Sequence, residues 1–214
     1  MHDFFAGIIS GTVQTIIGHP LDTLKTWNQN KIQYKNPKLT LGNLYKGIHI
    51  PIIQNPLIIG STLYLNNYMY KKYNNVYVSS FISGLISTIL YSPFDYYKIN
   101  IQQQQKISIF NSYKKIHIVG LHEIPANVIF FSTYKKCKSY SLSNEISGAT
   151  SGVLCSIFIY PINTIKTRMQ TNINLTLKDA IIKKKLYNGF SYSICRSILC
   201  GSIGMSFFEK LKYV

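Results

Sequence analysis

Three stretches of this chain repeat one arrangement of ionisable residues around a proline. Pro20, Asp22, Lys25 and Gln29 stand in PLDTLKTWNQ, Pro93, Asp95, Lys98 and Gln102 in PFDYYKINIQ, and Pro161, Asn163, Lys166 and Gln170 in PINTIKTRMQ. An acid and a base three residues apart share one face of a helix. A proline inside that helix removes a backbone hydrogen bond and bends the axis. Three bent helices bringing such faces to a common axis can close a breakable ring of ion pairs, which is a gate. Asn163 stands where the third acid would be, so at most two full pairs form and Lys166 faces an amide.

A second set of polar residues interrupts apolar sequence. Arg196 is one of two arginines against 21 lysines. Its planar guanidinium suits a carboxylate or phosphate, and a charge at membrane depth is costly and functional. Counted from Gly47, Lys115 and Gly189, the third residues of Tyr45-Lys46-Gly47, Tyr113-Lys114-Lys115 and Tyr187-Asn188-Gly189, position +7 holds Gln54, His122 and Arg196. His122 is followed by Glu123. In the first copy Pro51 and Pro56 each sit one place off this register. Nothing here is built for catalysis. There are no carboxylates at working spacing, no G-x-S-x-G and no Walker loop. Cys137, Cys155, Cys195 and Cys200 are scattered without metal-ligand spacing and read as reduced thiols. The expectation is a non-enzyme without a metal.

The elements that must position these residues are visible as six apolar stretches, 4–24, 48–70, 76–97, 116–134, 145–165 and 189–209. Each has about the length of a bilayer-spanning helix. Hydrophobic residues make up 46% of the chain and charged ones 14%, with a formal net charge of +16; a soluble chain carries roughly 25% charge. Charge alone leaves a nucleic-acid binder and a membrane protein with basic loops, and the six stretches select the second, with no nucleic-acid partner. Lysine and arginine after the first, third and fifth stretches total 15, against 7 on the other side, which puts both termini outside. Met1-His2-Asp3 leads straight into the first apolar run and reads as uncleaved. Small residues stand 13 and 9 places before each motif proline, as Gly7/Gly11, Ser80/Gly84 and Gly148/Gly152. Such pairs let helices approach closely in lipid.

Three motifs in register, each with its upstream small pair and downstream glutamine, resemble the mitochondrial carrier family and its thrice-repeated P-x-[DE]-x-x-[KR] signature. The resemblance covers the whole chain, which is short for the family and biased as an AT-rich genome (a protist or a giant DNA virus) would make it. It implies an all-α membrane protein of six transmembrane helices, arranged as three pseudosymmetric repeats, 1–72, 73–140 and 141–214, around a central cavity. It also implies Asp22, Lys25, Asp95, Lys98, Asn163 and Lys166 as an inner gate, braced by Gln29, Gln102 and Gln170. Substrate contacts fall on Gln54, His122, Glu123 and Arg196. Cardiolipin, a structural lipid rather than a cofactor, is implied at the helix starts marked by Gly47 and Gly189, where a phosphate suits a helix N-terminus. The family's even helices end in an aromatic, an acid and a base. Only Phe208, Glu209 and Lys212 keep all three, and Lys138 keeps a base alone, so the outer gate is eroded and the empty carrier is expected to rest open outward.

The function implied is exchange of small anionic metabolites by alternating access, in the mitochondrial inner membrane with both termini in the intermembrane space, by a monomer whose partners are its solute and membrane lipid. Nucleotides are the first expectation, because a +16 chain attracts multiply charged phosphates. An amino-acid or carboxylate carrier is the alternative, as is a degenerate carrier-fold adaptor or proton leak without exchange.

Overall fold

The computed structural model describes residues 2–29, 40–45, 48–103, 113, 116–171 and 186–212, with the side chains of 2, 26–29, 50, 95–103, 167–171 and 212 outside that description. Among the described residues there are six long helices and one short one: α1 (His2–Gln29), α2 (Leu41–Leu44), α3 (His49–Tyr73), α4 (Val76–Gln103), α5 (Ile116–Ser139), α6 (Asn144–Thr171) and α7 (Phe190–Lys212). The six long helices fall on the six apolar stretches and overrun them. Helix continues through Pro20, Pro93 and Pro161, so each motif extends its helix beyond the apolar run. Pro56 and Pro125 are also interior, in α3 and α5.

The connections explain where the helices stop. Asn74 ends α3 in the left-handed region, with φ 48°, and its N–H donates to the Tyr70 carbonyl. Asparagine tolerates that conformation. The next residue, Asn75, starts α4 by accepting from the backbone N–H of Tyr77 at 2.9 Å, an N-capping arrangement. Two residues therefore join α3 to α4. Gly189, at φ 79°, turns the chain into α7.

Each long helix packs on its two neighbours in the order α1, α3, α4, α5, α6, α7, and α7 returns to α1, closing a ring. Glycine sets the spacing within it. A Cβ on Gly7 would lie 2.6 Å from the Gly60 Cα, one on Gly11 2.8 Å from the Pro56 Cα, and one on Gly84 2.9 Å from the Ile124 Cα. Gly152 meets the Ser197 carbonyl in the same way, at 2.7 Å. The glycines of the small pairs thus press onto the long helix that follows. The α3–α4 contact is a polar seam in which Thr62 bonds Ser87 at 2.7 Å and Asn66 donates to Ser80 at 3.2 Å. Buried hydroxyls such as Ser83 and Ser87 also return to their own helix carbonyls, which keeps them satisfied away from water.

Large apolar side chains point away from the ring on every long helix: Phe5, Ile53, Ile89, Leu121, Phe158 and Phe207 are all exposed. Polar inside and apolar outside is the inverse of a soluble bundle and suits lipid. By length and composition three helices suffice to cross a membrane, over Asp3–Lys25, Val76–Phe94 and Asn144–Lys166. Among the described residues the expectation of six comparable spans is met by these three. Gln54, Asn55, Asn66 and Asn67 dilute α3, and His122, Glu123 and Asn127 dilute α5.

Candidate substrate cavity

A cavity of about 440 Å³ runs along the ring axis, and all six long helices contribute to its wall. Arg196, His122 and Glu123 line it, as do Asp22, Lys25 and Asn163. Gln54 does not: it is buried, but off the cavity wall. α3 reaches the cavity only further along, through Ile59, Thr62 and Leu63. In the first copy, whose prolines are out of register, the polar cavity residues near that depth come from α1, as Gln14 and Asp22, rather than from position +7 of α3.

The charges are paired between mid-helix and motif positions. Arg196 Nε of α7 lies 2.8 Å from Asp22 Oδ1 of α1. The approach is off the hydrogen-bond axis, so the contact is an ion pair without an aligned hydrogen bond. Lys166 Nζ of α6 donates to Glu123 Oε1 of α5 at 3.3 Å. His122 Nδ1 meets the same Glu123 oxygen at 2.8 Å. Both inter-helix pairs run from one helix to the next around the ring. The expectation pairs motif residues with one another; Asp22 and Lys166 lie against Arg196 and Glu123, and both make further interactions besides. Lys25 and Lys166 also face tyrosines, with Nζ 4.9 Å from the Tyr160 ring centre and 5.6 Å from that of Tyr91. Such cation–π contacts strengthen where water is excluded. The side chains of Asp95, Lys98, Gln29, Gln102 and Gln170 lie outside the described residues.

Two threonines outside the expected site tie the first and third motifs to the turns that follow them. Thr23 Oγ1 donates to the Leu44 carbonyl at 2.7 Å, and Thr164 Oγ1 to the Leu186 carbonyl at 2.8 Å. Alongside, His19 stacks on Tyr45 and Tyr160 on Tyr187, with ring centres 6.0 and 5.9 Å apart. The signal was present: both threonines stand three places after the motif proline, next to an aromatic or histidine just before it.

At the terminus end of the ring, Ala6, Leu63, Phe131, Tyr134, Met205 and Phe208 form one apolar cluster drawn from α1, α3, α5 and α7. It gathers at the end where the expectation places an opening, and its members Leu63, Phe131 and Met205 line the cavity there. Lys138, assigned to the outer gate, donates to the Leu142 carbonyl of its own turn at 3.1 Å. Glu209 is half-buried and engaged, and the Lys212 side chain lies outside the described residues. Gly189 is buried at the start of α7, and Gly47 lies outside the described residues. Cys155 and Cys200 line the cavity as free thiols. Among the described residues no three His, Cys, Asp or Glu side chains gather. The chemistry on offer is recognition of charge and exchange of ion-pair partners.

A polar, charged cavity inside a ring of helices with apolar outer faces defines an all-α membrane protein with room for a small solute. The family profile described as mitochondrial carrier protein matches residues 140–184. The mitochondrial ornithine transporter 1 of Schizosaccharomyces pombe is 23% identical, over 96% of this chain and 90% of its own length. Solute carrier family 25 member 45 of Mus musculus is 23% identical over 79% of each chain. The mitochondrial arginine transporter BAC2 of Arabidopsis thaliana is 23% identical over 78% of this chain and 73% of its own. The chain is thus similar, over nearly its whole length, to proteins of the mitochondrial carrier family, whose members are transporters of metabolites rather than enzymes.

Proposed function

We propose that this protein exchanges amino-acid-type zwitterions across the mitochondrial inner membrane by alternating access. The observation that carries this reading is the mixed charge of the cavity: a base, Arg196, and an acid, Glu123, are both presented to it. A carboxylate matches the guanidinium fork, and an ammonium matches Glu123. The nucleotide expectation rested on the net charge of +16, most of which is loop lysine. Around the cavity, Asp22 and Glu123 stand beside Lys25, Lys166 and Arg196, a poor match for a triphosphate. Two of the relatives named above are transporters of ornithine and arginine, which favours the same class.

In this reading the ring is three repeats, 1–72, 73–140 and 141–214, with all six long helices spanning the membrane. The ring closure and the exposed apolar side chains on each helix support it. Exposed Tyr73, Tyr77 and Tyr140 mark one end, and Tyr113 and Tyr187 the other, as expected where tyrosines sit at headgroup level. The lysine asymmetry places both termini in the intermembrane space. Asp22, Lys25, Asp95, Lys98, Asn163 and Lys166 form the inner gate, with Gln29, Gln102 and Gln170 beneath it. Gly47 and Gly189 start helices that receive a lipid phosphate, and the carrier acts as a monomer. A constitutive leak needs a wetted bore, and the apolar cluster of Leu63, Phe131 and Met205 opposes one.

The test is reconstitution into liposomes preloaded with one solute and challenged with labelled ornithine, arginine, neutral amino acids, dicarboxylates and nucleotides. Uptake of amino acids that depends on an internal amino acid supports the reading. Exchange of nucleotides alone would refute it.

A further inference from the structure

The two inter-helix pairs in the cavity have a feature in common: neither is well made. The Arg196–Asp22 contact is sideways, through Nε and without an aligned hydrogen bond. The two side chains keep 33% and 44% exposure, so water competes for both. The Lys166–Glu123 distance of 3.3 Å is long for a charge-assisted hydrogen bond, which is normally about 2.7–2.9 Å. Each pair also joins two different kinds of residue. Arg196 and Glu123 are mid-helix groups on the cavity wall, whereas Asp22 and Lys166 belong to the proline motifs, two and five residues past the prolines of α1 and α6.

We propose that Asp22 and Lys166 act as resident stand-ins for the two charged ends of the solute, Asp22 for its carboxylate and Lys166 for its ammonium. The proposal rests on the amino-acid reading of the cavity. A carboxylate entering the cavity meets Arg196 face on and makes the bidentate pair that Asp22 does not. An ammonium meets Glu123, already accepting from His122, and displaces Lys166. Each displacement frees one motif residue, Asp22 on α1 or Lys166 on α6, to take a partner elsewhere. A solute with one charge frees only one of them. Only a solute carrying both ends releases both helices, so selection for a zwitterion and release of the motifs are the same event. A ligand shifts a conformational equilibrium only through its differential affinity for the two states, and partner exchange at two places supplies that difference.

A stand-in competes with what it imitates, so removing it should tighten binding of that one chemical group while impairing transport. Binding is read as ligand-dependent melting of the full chain in detergent, which needs no transport. The probes are L-ornithine and two fragments of it: pentanoate, which keeps the carboxylate alone, and putrescine, which keeps only ammonium groups. Asp22→Asn is expected to strengthen pentanoate binding about two- to fivefold, the range of an exposed ion pair, and to leave putrescine unchanged. Lys166→Gln is expected to do the reverse. Both variants should slow exchange in liposomes. If an Asn or Gln variant gives no folded protein, Asp22→Ser and Lys166→Met carry the same test. Equal gains for both fragments, weaker binding, or no detectable binding of the matching fragment to its variant would overturn the proposal. Selective gains in a protein that exchanges no amino acid would refute the functional reading and leave the stand-ins standing.

Discussion

Arg196 was legible as a residue because it breaks the habit of the chain, being an arginine among lysines inside an apolar run. Its partner was not legible, since Asp22 lies 174 positions away and belongs to a motif with a gate role of its own. Losing the charge-assisted contact that the guanidinium offers a bound carboxylate costs about 1.5–3 kcal/mol, tenfold or more in binding. Arg196→Ala is therefore expected to abolish exchange in liposomes while leaving a folded protein, and Arg196→Lys to retain a remnant. Wild-type rates in Arg196→Ala would remove the centre of the cavity assignment. Thr23 makes a smaller, structural prediction. Valine keeps its shape but orphans the Leu44 carbonyl, for about 1 kcal/mol, or a melting temperature lower by roughly 2–4 °C. Thr164→Val should behave alike at Leu186. A double variant losing no more than either single one would mean the two clasps are not independent.

Helices rather than residues were the most readable part of the chain. Six apolar stretches of the right length became six long helices, because length and apolarity are local properties. The small pairs were readable too, since close helix approach requires glycine wherever backbones touch. What local pattern could not give was facing. Gln54 shared a register with His122 and Arg196, but α3 turns it away from the cavity. Facing depends on how Gly11 seats against Pro56, which is a contact between distant parts of the chain. The same geometry supplies a test. Gly152→Leu would drive a side chain into the Ser197 carbonyl, only 2.7 Å from where its Cβ must sit. Backbone cannot yield as a side chain does, so a loss beyond the usual 1–3 kcal/mol of overpacking is expected, seen as aggregation or failed expression. Gly42→Ala, with nothing within 4 Å, is the matched control and should be neutral. A stable, active Gly152→Leu protein would show that α6 and α7 are not held as described.

Across the whole molecule the two ends of the ring differ in chemistry, with charge gathered near the motifs and apolar contact near the termini. The eroded acids and bases of the terminus end led to the expectation of an open state there. That inference weighs ions alone, whereas Leu63, Phe131 and Met205 gather at the same end and apolar contact needs no charge to seal a passage. Cys155 and Cys200 offer native reporters, since both line the cavity beyond the cluster. In sealed vesicles, a membrane-impermeant maleimide added on the terminus side is expected to label them slowly. Phe131→Ser should accelerate that labelling several-fold, without matching acceleration from the other side. Rapid labelling of the unmodified protein from the terminus side would show that the cluster does not seal.

The imbalance of fixed charge around the cavity has an electrical consequence. Among the described residues, Lys25, Lys166 and Arg196 exceed Asp22 and Glu123 by one. A zwitterion adds nothing to that total, so the loaded protein carries the same charge outward as it carries back, and one complete swap is silent to the membrane voltage. A single unrequited crossing by the empty protein is not. Each elementary charge moved through the field feels about 2.3 kcal/mol per 100 mV, so an energised membrane would hold the vacant carrier on its negative face. Because a zwitterion leaves that total unchanged, the loaded carrier feels the same pull, so the voltage biases the face on which the carrier rests without telling a vacant crossing from a loaded one.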